Sequence, residues 1–219
     1  MSVNVLLEWT TLTVHCKYER ITTVSDIKII DDLLPKGYAD AIEEDLIHGK
    51  FLWQYIDDVT NKDYGNNSGL AHLAYDMGKG PSDWYPFIKP IVYSIEQATG
   101  HKITQLLRIR VGFLYPAVNH MEHNTPHIDF MFPHYTACYY VNDSDGDTVV
   151  FNETLGHGQL TDLTEENMRE YVSNTQFNTV STCSPKKNRL CVFDGLRFHS
   201  STKPLKHDRR LVITVNYIV

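Results

Sequence analysis

From about residue 101 onward the chain is a succession of short β-branched and aromatic runs parted by turn residues: ITQLLRIRVGFLY, PHIDFMF, YTACYYVN, DTVVFNE, NRLCVFDG and RRLVITVNYIV. Several short runs of this kind at near-regular spacing predict a β-sandwich or jelly roll. Asn142 to Asp147, NDSDGD, has the composition of a tight hairpin turn between two of them. Ahead of this region, Trp84, Phe87, Ile88, Ile91, Val92 and Ile95 repeat at helical spacing, which predicts a helix over 82–98 with Ser82 as N-cap and Gly100 past its end. Tyr38, Ala41, Ile42 and Leu46 behind Pro35 predict a second helix over 36–48. A short surface helix is expected over 162–173, with Thr164 as its N-cap. The expected architecture is mainly β with α, two or three N-terminal helices buttressing the β core.

No repeat or Pro/Ser-rich linker interrupts the 219 residues, so one domain is expected, with 1–100 as a support region and 101–219 as the core. Apolar residues at 42% and charged residues at 21% exclude a disordered or fibrous chain. A net charge of −7 is the wrong sign for wrapping nucleic acid. Cys16, Cys138, Cys183 and Cys191 form no C-x-x-C pair and read as buried thiols. With no long apolar run and no basic, cleavable start in MSVNVLLEWT, the expectation is a cytoplasmic protein without membrane spans.

Among the 11 histidines, two are set apart by their neighbours. In a strand, residues i and i+2 share a face, so His127 and Asp129 would project together while Ile128 points away. His199 follows the strand NRLCVFDG and can return to the same spot. Two imidazoles and a carboxylate with coordination positions left open make the facial triad of non-haem Fe(II) oxygenases. Arg210 opens the last strand, where Val212, Thr214 and Asn216 would share its face. A guanidinium at the floor of such a pocket suits the far carboxylate of a dicarboxylate that chelates the metal. His120 and His123 fall in a Pro/Asn-bounded loop with no common face, and His134, His157 and His207 read as solvent histidines. The Asp143, Asp145, Asp147 alternation lacks the Glu of a calcium loop at its twelfth position, where Thr154 falls.

The span from Tyr115 to the C-terminus resembles the 2-oxoglutarate and Fe(II)-dependent oxygenases, in particular the prolyl-4-hydroxylase-like group. The matching pieces are Tyr115-Pro116, His127-Ile128-Asp129, the strand Thr136 to Asn142, the segment from Asp194-Gly195 to His199, and Arg210 to Val215. The resemblance implies a double-stranded β-helix, that is, a jelly roll with iron at its open mouth. It implies that His127, Asp129 and His199 bind iron and that Arg210 grips 2-oxoglutarate, with Tyr140, Thr214 and Tyr115 as further cosubstrate contacts. A register shifted by one residue would put Arg209 in that place; Arg210 is preferred because the apolar strand after it aligns with the family pattern. The implied reaction is hydroxylation of an unactivated C–H bond using O2, with succinate and CO2 as co-products and ascorbate as auxiliary reductant. The substrate would be a peptidyl prolyl or other protein side chain, or alternatively a free amino acid or small metabolite. A non-catalytic jelly-roll binder would need neither the triad nor Arg210. The polar loop AVNHMEHNTP, and Asn216 where relatives often carry Trp, depart from the prolyl hydroxylase pattern and leave the substrate open.

Overall fold

The computed structural model describes residues 27–59, 68–117, 123–156 and 165–219. The order along the chain is β1 (Lys28–Ile30), α1 (Lys36–Ile47), β2 (Gln54–Ile56), β3 (Gly69–Asp76), β4 (Gly80–Pro81), α2 (Tyr85–Ile88) and α3 (Pro90–Thr99). It continues through β5 (Gln105–Leu114), β6 (Tyr135–Tyr140), β7 (Thr148–Thr154), α4 (Glu165–Asn174), β8 (Thr179–Cys183), β9 (Arg189–Asp194), β10 (Arg197–Ser201) and β11 (Arg210–Ile218). The protein is mainly β, and its named strand pairs are all antiparallel. An eight-stranded sheet runs β1-β9-β6-β11-β5-β3-β2 with β4 beside β3, and a three-stranded sheet runs β10-β7-β8. No helix among the described residues is long and apolar enough to cross a membrane.

Strand periodicity sorts β6 and β11 onto two faces. Tyr139, Leu211, Ile213 and Val215 join Ile42 and Leu46 of α1 and Ile88, Ile91 and Ile95 of α2 and α3 in the main apolar cluster. Each such fully buried Ile or Leu contributes roughly 1.5–3 kcal/mol relative to exposure. Cys138, Tyr140 and Val212 point the other way, meeting Val150 of β7 and Cys183 of β8. The interior of the sandwich is therefore the space between the two sheets. Cys138, Cys183 and Cys191 are free and buried there, while Cys16 lies outside the described residues.

Three local expectations are corrected. The helix over 82–98 is two pieces, because Pro90 has no N–H to continue the ladder and the chain re-starts helical bonding at α3. Ser82 Oγ does accept from the Trp84 amide at 3.3 Å, and Gly100 closes α3 at φ 75°. PHIDFMF is not a strand: between Pro126 and Pro133 it forms one isolated bridge, His127 with His199. NDSDGD is not a hairpin, since β6 pairs with β9 and β11 whereas β7 pairs with β8 and β10. The turn instead carries the chain from one sheet to the other. Asp145 holds it there by accepting from the amides of Leu205, Lys206 and His207 at 3.2, 2.9 and 3.2 Å. The short helix near 162–173 appears as α4, and its expected cap Thr164 lies outside the described residues, as do His120 and His157.

Candidate functional site

His127 and His199 are direct bridge partners across the gap between segments. The His127 amide donates to His199 O at 2.9 Å and the His199 amide returns the bond at 3.0 Å. This exchange places the two rings 4.6 Å apart, centroid to centroid. One ligating atom each from His127, Asp129 and His199 lies within 4.8 Å of the others. The sequence expectation of a shared face is thus met by a bridge and a bend rather than by a regular strand.

Hydrogen bonds set which imidazole nitrogen is available. A carbonyl can only accept, so Nδ1–H of His127 donates to Thr125 O at 3.2 Å and Nδ1–H of His199 donates to Arg197 O at 3.2 Å. Both Nε2 atoms are then unprotonated lone-pair donors. Burial, and then the neighbouring His199, push His127 down to about 3; burial also lowers His199. Burial opposes the charge of Asp129, yet Arg108, then His199 and His127, hold its carboxyl well below the usual range. Two neutral imidazoles and one carboxylate are the protonation states that divalent iron takes as ligands, so the donor set fits that metal.

The surroundings orient Asp129. Arg108 Nη2 donates to Oδ1 in an ion pair, and Asn216 Nδ2 donates to Oδ2 at 2.8 Å. Arg108 Nε also donates to Asn216 Oδ1 at 3.1 Å, joining the two supports. Thr136 Oγ1 adds a long contact to Oδ2 at 3.4 Å. None of these except Asn216 was singled out from the sequence. His134, expected in solvent, is fully buried beside them, its Nδ1–H donating to Phe132 O at 2.7 Å. His207 does lie at the surface, 3.0 Å from Asp145, and His123 packs its ring on Phe151.

The triad opens into a cavity between the sheets, whose walls include Arg210, Thr214, Thr148 and Cys138. Arg210 is the inward residue of the Arg209–Arg210 pair, 4% exposed, donating through Nε to Gly146 O at 2.7 Å and through Nη2 to Thr148 Oγ1 at 2.8 Å. Tyr140 stands one layer back: it is fully buried and its hydroxyl donates to the same Thr148 Oγ1 at 2.7 Å. Thr214 lines the cavity. Tyr115 is not brought into it, remaining 42% exposed with its ring against Phe113.

No family sequence model matches the chain, and no curated protein matches it by sequence. Solved structures do. The non-heme alpha ketoglutarate dependent epimerase SnoN from nogalamycin biosynthesis superposes with TM-score 0.59 at 14% identity, over 88% of this chain and 78% of that one. The fold is that of the 2-oxoglutarate and iron-dependent oxygenases. A prolyl hydroxylase from Trichoplax adhaerens, in complex with a hypoxia inducible factor peptide fragment, aligns with TM-score 0.54 at 14% identity over 88% and 83% of the chains. HygX from Streptomyces hygroscopicus, with nickel and 2-oxoglutarate bound, gives TM-score 0.52 at 12% identity over 87% and 82%.

Proposed function

We propose that the protein is an Fe(II)/2-oxoglutarate-dependent dioxygenase that hydroxylates an unactivated C–H bond. The observation that carries this reading is the convergence of His127, Asp129 and His199 within 4.8 Å at a cavity that Arg210 also lines. His127 and His199 would hold iron through Nε2, and Asp129 through a carboxylate oxygen. Bound there, iron and 2-oxoglutarate supply oxidising power from O2, with succinate and CO2 as co-products and ascorbate as auxiliary reductant. Arg210 would bind the far carboxylate of 2-oxoglutarate. Thr148 already accepts from Arg210 and Tyr140, so its own proton is left to donate to that carboxylate. Thr214 would line the cosubstrate, and Tyr140 would act through Thr148.

In this reading residues 1–219 form one oxygenase domain, a double-stranded β-helix backed by the N-terminal helices, and the reduced thiols Cys138, Cys183 and Cys191 suit a cytoplasmic setting. The substrate is a peptidyl side chain, prolyl first, or a free small molecule. The likeness to a peptide-bound prolyl hydroxylase supports the former, and that to SnoN, from nogalamycin biosynthesis, the latter. Incubation with Fe(II), ascorbate and 2-oxoglutarate in air is expected to release succinate; His127→Ala and His199→Ala are expected to abolish the release, and Arg210→Ala to suppress it at 2-oxoglutarate concentrations that saturate the wild type. Equal succinate from wild type and His199→Ala would defeat the proposal.

A further inference from the structure

The cavity is more cationic than the proposed cosubstrate requires. The chain as a whole carries −7, yet among the described residues the cavity walls hold three guanidiniums, Arg108, Arg110 and Arg210, against the single carboxylate of Asp129. Two of the three have assigned counterparts. Arg108 is tied to Asp129 and Asn216, and Arg210 faces the position proposed for 2-oxoglutarate. A divalent metal with two neutral imidazoles, Asp129 and a doubly charged cosubstrate at Arg210 is neutral in sum, so the other two cations remain in excess.

Arg110, like Arg210, has no carboxylate at hydrogen-bond distance among the described residues, and unlike Arg210 it has no cosubstrate assigned to it; its Nη1 donates to the carbonyl of Val59 at 2.6 Å. Burial, and then repulsion from Arg108, bring it down to about 10, with Asp129 and Asp58 opposing more weakly. A guanidinium partly withdrawn from water and left beside a like charge carries a cost that an anion joining it would offset. Its position is directed. Arg108 and Arg110 are i and i+2 on β5, about 7 Å apart along the strand and on the same face. Arg108 pairs in register with Asn216 beside Asp129, and Arg110 with the cavity residue Thr214. An anion at Arg110 would therefore lie about 7 Å along β5 from the arginine that holds Asp129.

We propose that Arg110 anchors a carboxylate of the substrate, so that the oxidised C–H bond belongs to a carboxylic acid held by its charge rather than to a neutral chain. This rests on the dioxygenase reading above. The test uses protein loaded with Mn(II) and saturating 2-oxoglutarate under argon, which fills the place opposite Arg210. N-acetylproline, N-acetylleucine and N-acetylphenylalanine are titrated against their C-terminal amides, with paramagnetic broadening of the probe resonances reporting approach to the metal. At least one acid is expected to bind about tenfold more tightly than its amide, the worth of one charge-assisted hydrogen bond. Arg110→Gln is expected to remove the difference while leaving Mn(II) and 2-oxoglutarate affinities within about twofold of wild type, and Arg110→Lys to keep part of it. Equal binding of acid and amide by wild type, binding of neither, or a preference that survives in Arg110→Gln overturns the assignment of Arg110 alone. Failure of Mn(II) and 2-oxoglutarate to bind takes the dioxygenase reading down with it.

Discussion

Asn216, fully buried on β11, donates to Asp129 Oδ2 at 2.8 Å while its own carbonyl accepts from Arg108 at 3.1 Å. The amide thus aims the carboxylate and is itself aimed. Partners of this kind typically change metal affinity by about 10- to 100-fold when removed. Asn216→Ala is expected to weaken Mn(II) binding by at least about tenfold, measured by calorimetry, while circular dichroism shows the sheet intact. An unchanged affinity would mean that Arg108 alone orients Asp129.

Arg210 and Tyr140 meet at Thr148, and the two should fail differently. Arg210 carries the charge that a carboxylate would pair with, so Arg210→Ala should raise the 2-oxoglutarate KM by about 100-fold or more, beyond the worth of a charged hydrogen bond, because its buried partners are orphaned too. Tyr140→Phe removes one neutral bond to Thr148, worth about 1 kcal/mol, and should raise KM by only about fivefold. Steady-state succinate release at varied 2-oxoglutarate separates the two. Comparable losses would place the Tyr140 hydroxyl on the cosubstrate itself.

Gly195 packs against His134 so closely that an added Cβ would stand 2.2 Å from the imidazole Nε2. The ring has little room to yield, with its Nδ1 held by Phe132 O and the Phe130 ring edge-on at 5.4 Å. Gly195→Ala should therefore destabilise by about 1–3 kcal/mol or more, the range for overpacked cores. Thermal denaturation reads the loss. Adding His134→Ala should return part of it, since the two changes share one contact and cannot be additive.

What the sequence made legible follows from how each residue signals. His127, Asp129, His199 and Arg210 stand in a family-like order, which favours Arg210 over Arg209, and the burial of Arg210 decides between the two. Arg108 and Arg110 had a signal too: they alternate with Leu107, Ile109 and Val111, which are buried on the opposite face. A polar face on a half-apolar strand ordinarily means solvent. Here the second sheet covers that face and converts it into a cavity wall, and only long-range pairing reveals the cover. The same limit explains NDSDGD. Its turn chemistry was readable, but that its flanking strands belong to different sheets was not. Thr148 gave no signal at all, because its role comes from the partners that the fold delivers to it.

Asp145 offers a test of that crossover through pH. Partial burial disfavours its charge, but the Lys206 amide, the His207 ring, and the Leu205 and His207 amides bring the carboxyl down to about 2 from 3.8. A carboxyl depressed on folding stabilises the native state above its unfolded pKa, and that contribution drains away as pH falls through the folded one. Asp145→Asn keeps the shape and one acceptor oxygen but loses the charge, so at pH 7 it should cost about 1–2 kcal/mol, less than the sum of the bonds because the site is partly exposed. The gap between wild type and Asp145→Asn in urea unfolding should hold steady from pH 7 to about 5 and narrow as pH drops from about 4 toward 2. A gap that stays constant down to pH 2 would mean that the carboxylate charge plays no part in tethering residues 142–147 to 205–207, and that the turn is held by shape alone.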